Sequence, residues 1–147
     1  MIRPLVAEDL SAVAEIERLS FAEPWSETAL SLLLSPENVG VVATDGERVV
    51  AYGGMTTVLD EGSVANVATH PDHRGKGLGG MIVSALQEAA TKRGLSSVFL
   101  EVRVSNAPAR HLYEAAGFEI IGTRKGFYRH PTEDGLAMMW KSPVAAP

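Results

Sequence analysis

The sequence contains no cysteine, and this absence excludes several kinds of chemistry. Disulfide bonds, thiolate metal sites and a cysteine nucleophile are not available to this chain. Long apolar runs are also missing, because no stretch approaches the roughly 20 residues that cross a bilayer. The N-terminal segment, residues 1–4, does not have the pattern of a signal peptide. We therefore expect a cytoplasmic protein that does not bind a membrane.

Positive charge is scarce as well, since 13 Lys and Arg are outnumbered by 18 Asp and Glu, for a net charge of −5. Nucleic-acid binders are usually basic, so we expect no direct contact with nucleic acid. The acidic balance suits a cationic substrate, but it also serves solubility alone. The length of 147 residues fits one domain with a real core. We expect a single domain over 1–147, with 142–147 as a frayed tail, in a monomer or weak dimer.

Apolar residues in the first third of the chain recur at helical spacing. Leu10, Val13, Ile16 and Leu19 predict an amphipathic helix. Ser26 is the expected N-cap of a second, short helix. Two strands should follow, joined by the hairpin signal Asp45-Gly46.

The last third of the chain predicts a strand at 97–104, a helix from Asn106 to Gly117 and two final strands at 118–121 and 136–140. A long polar connection through Tyr128 and Pro131 should join those two strands. The predicted order is then βααβββαβαββ. Hairpins imply antiparallel pairs, and one strand–helix–strand unit implies a parallel pair. We expect an α/β fold with a mixed, mainly antiparallel sheet and helices on both faces.

The most informative stretch lies between the strand at 64–69 and a helix that begins at Leu78. It carries glycine at every second position, at Gly75, Gly77 and Gly79. Successive backbone N–H groups there can face one anion, and the start of a helix adds its positive dipole end. Arg74 and Lys76 lie between the glycines and add two cations. This pattern indicates a site for phosphate or pyrophosphate.

Other interpretations of this stretch are a flexible turn, a Walker loop or a dinucleotide fingerprint. A Walker loop requires serine or threonine after its lysine, whereas Gly77 follows Lys76. A dinucleotide fingerprint would lie near the start of a βαβ unit, and this stretch lies mid-chain after two hairpins. His70 and His73 flank a proline turn with no third ligand nearby, so we expect no metal.

The form Arg74-x-x-Gly77-x-Gly79, after a strand that ends Val67-Ala68-Thr69, resembles the acyl-CoA signature of the GNAT superfamily of N-acetyltransferases. The resemblance implies acetyl-CoA as co-substrate, with its pyrophosphate held by the glycine loop, and no metal. It also implies a bulged strand whose free N–H groups meet the thioester carbonyl. In that fold the two parallel strands splay apart, and the cofactor enters the gap. The positions that would contact acetyl-CoA are Val67, Ala68, Thr69, Arg74, Gly75, Lys76, Gly77, Leu78, Gly79 and Asn106.

Further segments resemble the RimI type within that family, which acetylates the N-terminal alanine of a small-subunit ribosomal protein. They are Phe21-Ala-Glu-Pro-Trp-Ser-Glu27, Leu100-Glu101-Val102-Arg103, Ser105-Asn106, Leu112-Tyr113-Glu114 and Gly117-Phe118. The resemblance implies an N-terminal peptide of a ribosomal or other protein as acceptor. A small amine or an internal lysine is the alternative acceptor, and a non-catalytic acyl-CoA-binding module is the alternative to an enzyme.

Two residues match the positions that the RimI type uses for proton transfer. Glu101 would accept a proton from the amine, and Tyr113 would protonate the leaving thiolate. Considered without the resemblance, Glu101 could be a surface carboxylate paired to Arg103 or a lysine. Tyr113 could be a core tyrosine whose hydroxyl bonds a backbone group.

Three further positions are candidates for the site, and two of them, Asn106 and Trp25, carry two interpretations each. Asn106 suits a helix N-cap, and the resemblance adds a contact to the cofactor. Trp25 and Tyr128 could line an acceptor cleft, where aromatic side chains grip a peptide. Trp25 could equally pack into the core at a helix junction.

Overall fold

The computed structural model describes residues 1–144, which form seven strands and four α-helices. The strands are β1 (Ile2–Pro4), β2 (Val39–Asp45), β3 (Arg48–Val58), β4 (Glu61–Thr69), β5 (Ser97–Arg103), β6 (Glu119–Tyr128) and β7 (Glu133–Lys141). The helices are α1 (Leu10–Ser20), α2 (Glu27–Leu30), α3 (Leu78–Lys92) and α4 (Ala107–Ala115). Short 3-10 turns precede α1, follow α2 and precede the glycine loop. The predicted order of elements is confirmed.

The strands form one sheet in the order β1-β2-β3-β4-β5-β7-β6. Among the strands of residues 1–144, only β4 and β5 run parallel, and every other neighbouring pair is antiparallel. The sheet is therefore mixed and mainly antiparallel, as the sequence predicted. The parallel pair lies in the middle, where α3 makes the crossover.

The sheet separates two apolar clusters, one for each layer of helices. The larger cluster joins α3 and α4 to the sheet and includes Ile82, Leu86 and Leu100. The smaller cluster joins α1 and α2 to the opposite face and includes Val13 and Leu30. Burial on both faces gives the sheet a core on each side, which is the three-layer arrangement expected for such a fold.

The parallel pair is short, and this creates an opening in the sheet. Residues 61–63 of β4 pair with residues 97–99 of β5, and the pairing stops there. On its other edge β4 stays paired with β3 as far as Thr69, but Ala65 is an extra residue between two partners of β3. Such a bulge leaves a residue outside the ladder and bends the strand. The expected splayed pair and bulged strand are both present.

Two helix starts and one helix end lie where local sequence signals predicted them. Ser26 Oγ accepts a hydrogen bond from Ala29 N at the start of α2. Asn106 Oδ1 does the same for Ala109 N at the start of α4. Gly94 follows α3 with φ +74°, a left-handed conformation that glycine adopts without strain. No helix within residues 1–144 is long and apolar enough to cross a membrane.

Two predictions are wrong, one about the extent of a strand and one about the buried face of α1. The strand at 118–121 extends to Tyr128 as β6, so the connection to β7 is only residues 129–132. This edge strand is exposed almost throughout, so no apolar alternation marked it. Leu19 is 49% exposed, and Glu17 takes its place on the buried face of α1.

The first residue of the predicted tail is held to the sheet. Ser142 is buried, its N–H bonds Ser96 O, and its hydroxyl bonds Leu95 O. The rest of the predicted tail, residues 145–147, lies outside the described residues.

Candidate active site

A cavity of about 520 Å³ occupies the opening between β4 and β5. Its walls come from five parts of the chain: the α1–α2 loop (residues 21–26), β4, β5, the start of α4 and the end of β6. It brings together six of the predicted site residues, which are Trp25, Val67, Glu101, Asn106, Tyr113 and Tyr128. These residues are up to 103 positions apart in the chain, so the fold alone makes them neighbours.

The other predicted contacts are the last two residues of β4 and the glycine loop that follows, outside the lining of this cavity. Ala68 is buried and Thr69 is the last residue of β4. The glycine loop (residues 74–79) then leads into α3. The predicted positions thus divide into a cavity group and a loop group, which adjoin through β4.

The glycine loop has the backbone geometry of an anion site. Gly75 and Gly77 have φ of +79° and +78°, and a Cβ at either position would meet nothing within 4 Å. The need for glycine here is therefore conformational. Gly77 precedes the first turn of α3, where the N–H groups of Leu78, Gly79 and Gly80 have no partner within the helix. These N–H groups and the helix dipole suit a phosphate group.

The side chains of the loop support this backbone. Arg74 Nε donates to Thr69 O at 3.1 Å and its Nη2 to Ser20 Oγ at 3.3 Å, which holds the loop against the end of β4. Lys76 is exposed. Leu78 packs against the larger core cluster. A Cβ at Gly79 would lie 3.3 Å from Leu112 Cδ2, so glycine here also allows α3 and α4 to approach.

Glu101 projects from β5 on the face opposite the buried residues Leu100 and Val102. Its side chain is 26% exposed, and its Oε1 lies 3.4 Å from Arg124 Nε on β6. The partner suggested by the surface interpretation, Arg103, binds Glu133 instead, at 3.2 Å. Glu101 is therefore a carboxylate on the cavity wall with one partly exposed cation beside it.

Tyr113 projects from α4 into the cavity and is 7% exposed. Its ring packs edge to face on Phe118, with 5.6 Å between centroids. The core-tyrosine interpretation expected the hydroxyl of Tyr113 to bond a backbone group. Within residues 1–144, no backbone group accepts such a hydrogen bond. Burial, with a smaller effect of neighbouring Tyr128, raises the pKa of Tyr113 above its usual value. The phenol therefore stays protonated at neutral pH and can donate a proton.

Asn106 is the N-cap that the sequence predicted. It caps α4 through Ala109 N, and it also lines the cavity. The capping bond uses Oδ1, which leaves the Nδ2 donors for another partner, and the expected contact to the cofactor stays a prediction.

Tyr128 lies at the end of β6 and lines the cavity, and the Arg103 side chain contacts its ring. The Arg103 guanidinium lies 4.6 Å from the Tyr128 ring centroid. It also donates to Pro131 O at 2.9 Å and to Arg129 O at 2.8 Å. Burial, together with the nearby Glu101 carboxylate, raises the pKa of Tyr128 to about 12. Arg103 thus fixes the β6–β7 loop (residues 129–132) beside the cavity.

Trp25 is partly buried against the smaller core cluster and also lines the cavity, so it is placed for both interpretations, and its contact with an acceptor stays a prediction. Its backbone N–H donates to Glu17 Oε2 at 2.8 Å. Glu17 is fully buried, and its other oxygen accepts hydrogen bonds from Tyr52 and Asn66.

Sequence reasoning missed several residues of this site. They are Glu17, Asn66, Arg103, Phe127 and Arg129, which line the cavity or bond directly to residues that do. A signal existed for Glu17, because it is a carboxylate on the apolar stripe of α1. Nothing in the sequence marked the others. Within residues 1–144, no three His, Asp or Glu side chains are grouped as a metal site requires.

Comparison with known proteins agrees with this geometry. The model of the acetyltransferase (GNAT) family matches residues 10–118. The [ribosomal protein bS18]-alanine N-acetyltransferase of Escherichia coli K12 is 36% identical over 134 residues, covering 91% of this chain and 89% of the relative. The putative enzyme of that name from Bacillus subtilis is 34% identical over 141 residues, 95% and 93% of the two chains.

A solved structure gives the same result. The crystal structure of the ribosomal-protein-S18-alanine N-acetyltransferase from Escherichia coli matches with a TM-score of 0.90 and 32% identity. The match covers 100% of this chain and 95% of that one. The similarity therefore extends over the entire sheet and both helical layers.

Proposed function

Since the chain belongs to the acetyltransferase (GNAT) family and is an N-acetyltransferase, we propose that it acetylates the α-amine of a protein N-terminus. We propose acetyl-CoA as the donor and the N-terminal alanine of ribosomal protein bS18 as the acceptor, as the names of its relatives state for them. A ribosomal acceptor implies that the reaction takes place in the cytoplasm. The whole of residues 1–147 is proposed as one catalytic domain.

The observation that carries the proposal is the opening in the sheet. The β4–β5 ladder stops after three residue pairs, and the cavity that follows contains both a carboxylate and a phenol. The glycine loop lies at the end of β4, so an extended donor can bind there by its phosphates and extend toward the cavity. The geometry fits such a group, because Gly75 and Gly77 leave open space beside the first N–H groups of α3.

Acetyl-CoA supplies the acetyl group as an activated thioester. In our proposal Arg74, Lys76 and the N–H groups of residues 75–79 hold its pyrophosphate. The bulged part of β4 offers N–H groups to the thioester oxygen, where negative charge develops during attack. Ala68 and Thr69 lie between these two contacts, and Asn106 faces the donor from the start of α4.

The acceptor amine must be neutral to attack, and an α-amine has a reference pKa near 7.7–8.0. Modest help from a base is enough, and we assign that role to Glu101, directly or through one water. The amine attacks the thioester without an acyl-enzyme, which agrees with a chain that has no cysteine. Tyr113 protonates the departing thiolate, a role that suits a buried phenol. Trp25 and Tyr128 form the acceptor side of the cavity.

Two synthetic peptides test the proposal by mass spectrometry after incubation with enzyme and acetyl-CoA. One carries the N-terminal sequence of bS18 with a free alanine amine. The other has the same sequence with the α-amine blocked and one internal lysine. We expect acetylation of the free peptide alone. Acetylation of the internal lysine would indicate a lysine acetyltransferase instead, and acetylation of neither would indicate a small-amine enzyme or a non-catalytic binding module.

A further inference from the structure

Glu17 on α1 is a fully buried carboxylate that the proposed mechanism does not use. Buried carboxylates are normally paired with a cation. Asp9, the other buried carboxylate, follows that rule through Arg3 at 2.7 Å. Within residues 1–144, Glu17 forms no ion pair. Its burial therefore depends on neutral hydrogen-bond donors.

Three donors surround the Glu17 carboxylate, and each comes from a different part of the chain. Trp25 N bonds Oε2 at 2.8 Å. Asn66 Nδ2 bonds Oε1 at 2.8 Å, and the Tyr52 hydroxyl bonds the same oxygen. A carboxylate that accepts three donors can be buried without a cation, because hydrogen bonds to a charged group are stronger than neutral ones.

Two of these donors belong to different walls of the cavity. Trp25 lies on the α1–α2 loop, which contributes Phe21, Ala22 and Glu23 to the lining. Asn66 lies on β4, directly after the bulged residue Ala65. Glu17 itself does not line the cavity, so it cannot touch a substrate there. It joins the wall proposed for the acceptor to the wall proposed for the acetyl group.

The α1–α2 loop has few other polar connections. Its ends, Phe21 and Trp25, pack against the smaller core cluster, but residues 22–24 are exposed, and within residues 1–144 the side chain of Glu23 reaches only the exposed His130, at 3.7 Å. By contrast, β4 at Asn66 is also held by its pairing with β3. Loss of the Glu17 carboxylate would therefore free the loop much more than the strand.

We propose that Glu17 is a positioning residue that holds the α1–α2 loop at a fixed distance from the bulged strand, so that an acceptor amine reaches the acetyl group. This inference rests on the proposed function, because it assumes that the α1–α2 loop forms the acceptor side. Glu17 acts through Trp25 and Asn66 and does not enter the chemistry.

The test compares full-length Glu17→Gln and Tyr52→Phe with the wild type. Glu17→Gln replaces one acceptor oxygen by an NH2 donor. We expect kcat/KM for the bS18 peptide to fall about tenfold or more, mainly through peptide KM, while the Kd for acetyl-CoA changes less than about twofold. Tyr52→Phe removes one donor and leaves the carboxylate, so we expect a smaller rise in peptide KM.

The matched control is Asp9→Asn. This substitution removes the charge of a buried carboxylate next to the same helix, and Asp9 does not line the cavity. We expect it to lower the melting temperature without changing peptide KM. Hydrogen–deuterium exchange of residues 21–26 supplies a readout that needs no activity. We expect faster exchange of the Trp25 amide in Glu17→Gln and wild-type exchange in Asp9→Asn.

Each outcome decides one claim. Faster exchange at Trp25 together with a selective rise in peptide KM supports the inference. Unchanged exchange in both Glu17→Gln and Tyr52→Phe overturns it, as does an equal rise in peptide KM in Asp9→Asn. If the wild type acetylates no peptide, the proposed function fails, and faster exchange alone would then show only that Glu17 holds the loop. If Glu17→Gln does not fold, Tyr52→Phe decides on the same two readouts.

Discussion

The two sides of the cavity are built by different means. On the side proposed to bind the donor, called the donor side below, β4 and the glycine loop present backbone groups that are set by left-handed glycines, a strand bulge and the start of α3. On the acceptor side, the α1–α2 and β6–β7 loops are held mainly by side chains. Glu17 holds one of them and Arg103 the other.

This difference has a physical consequence for how each side tolerates change. Backbone geometry at a left-handed glycine depends mainly on the glycine itself. A loop held by one buried side chain depends on a residue outside the cavity. We therefore expect the donor side to vary little in shape among related chains. The shape of the acceptor side can change through substitutions of residues that do not line the cavity.

The largest effect should come from the residue proposed to act where the two sides meet. We expect Tyr113→Phe to lower kcat about 100-fold, because the thiolate would depart without a proton donor. Acetyl-CoA affinity should stay close to that of the wild type. Steady-state kinetics and calorimetric titration with acetyl-CoA measure the two quantities.

Tyr128→Phe is the matched control, since Tyr128 lies on the acceptor wall. We expect it to alter peptide KM and leave kcat nearly unchanged. Unchanged turnover in Tyr113→Phe would remove this residue from the mechanism.

One methyl group added to the glycine loop should disturb the donor side. We expect Gly77→Ala to weaken acetyl-CoA binding about tenfold, because a left-handed non-glycine residue costs roughly 1–2 kcal/mol. Peptide KM should change little. Gly46→Ala is the control, because Gly46 has a φ of +64° with equally open surroundings in the β2–β3 turn. Equal acetyl-CoA affinity in both variants would contradict a binding role for the glycine loop.

The acceptor side can be loosened through Arg103. Lysine has a single ammonium and cannot reproduce the fork that bonds Arg129 O and Pro131 O together. We expect Arg103→Lys to raise peptide KM about fivefold without changing acetyl-CoA affinity. Arg93→Lys serves as control, since Arg93 holds two carbonyl groups, of Pro36 and Glu37, far from the cavity. A parallel loss of acetyl-CoA affinity in Arg103→Lys would show that the two sides are not independent.

The smallest effect concerns pH. Burial raises the pKa of Tyr113 above its usual value, so its phenol should remain protonated up to and beyond about pH 10. We expect kcat/KM for the peptide to rise as the acceptor amine loses its proton near pH 8. Above that pH we expect kcat/KM to stay level to about pH 10. A falling limb near pH 9 that disappears in Tyr113→Phe would contradict the pKa direction.

The contrast between the two sides also explains what could be predicted from the sequence. The donor side is local: Gly75 and Gly77 follow a strand and precede a helix within a few residues, so spacing alone revealed it. The element order, the helix caps at Ser26 and Asn106 and the parallel pair were predicted for the same reason. Glu101 and Tyr113 were selected by resemblance, and the structure places both on the cavity wall.

On the acceptor side only Trp25 and Tyr128 were predicted, and the contacts that hold its loops could not be, because they join distant residues. Glu17 meets Asn66 across 49 positions, and Arg103 meets Arg129 across 26. The exposed edge strand β6 has no apolar alternation, so its length was underestimated and Tyr128 was assigned to a connection. Of these residues, only Glu17 could have been noticed in the sequence, because it is a carboxylate on the apolar stripe of α1. Leu19 was expected to be buried there instead.

The central claim is that the donor and acceptor sides meet at Glu101 and Tyr113 in the β4–β5 opening. A crystal structure with a bisubstrate analogue, CoA joined through an acetyl group to the bS18 N-terminal peptide, tests it most directly. We expect the phosphates at residues 74–79, the sulfur beside the Tyr113 hydroxyl, and the peptide nitrogen within direct or one-water reach of Glu101. A peptide bound away from the α1–α2 loop, or a sulfur remote from Tyr113, would contradict the account.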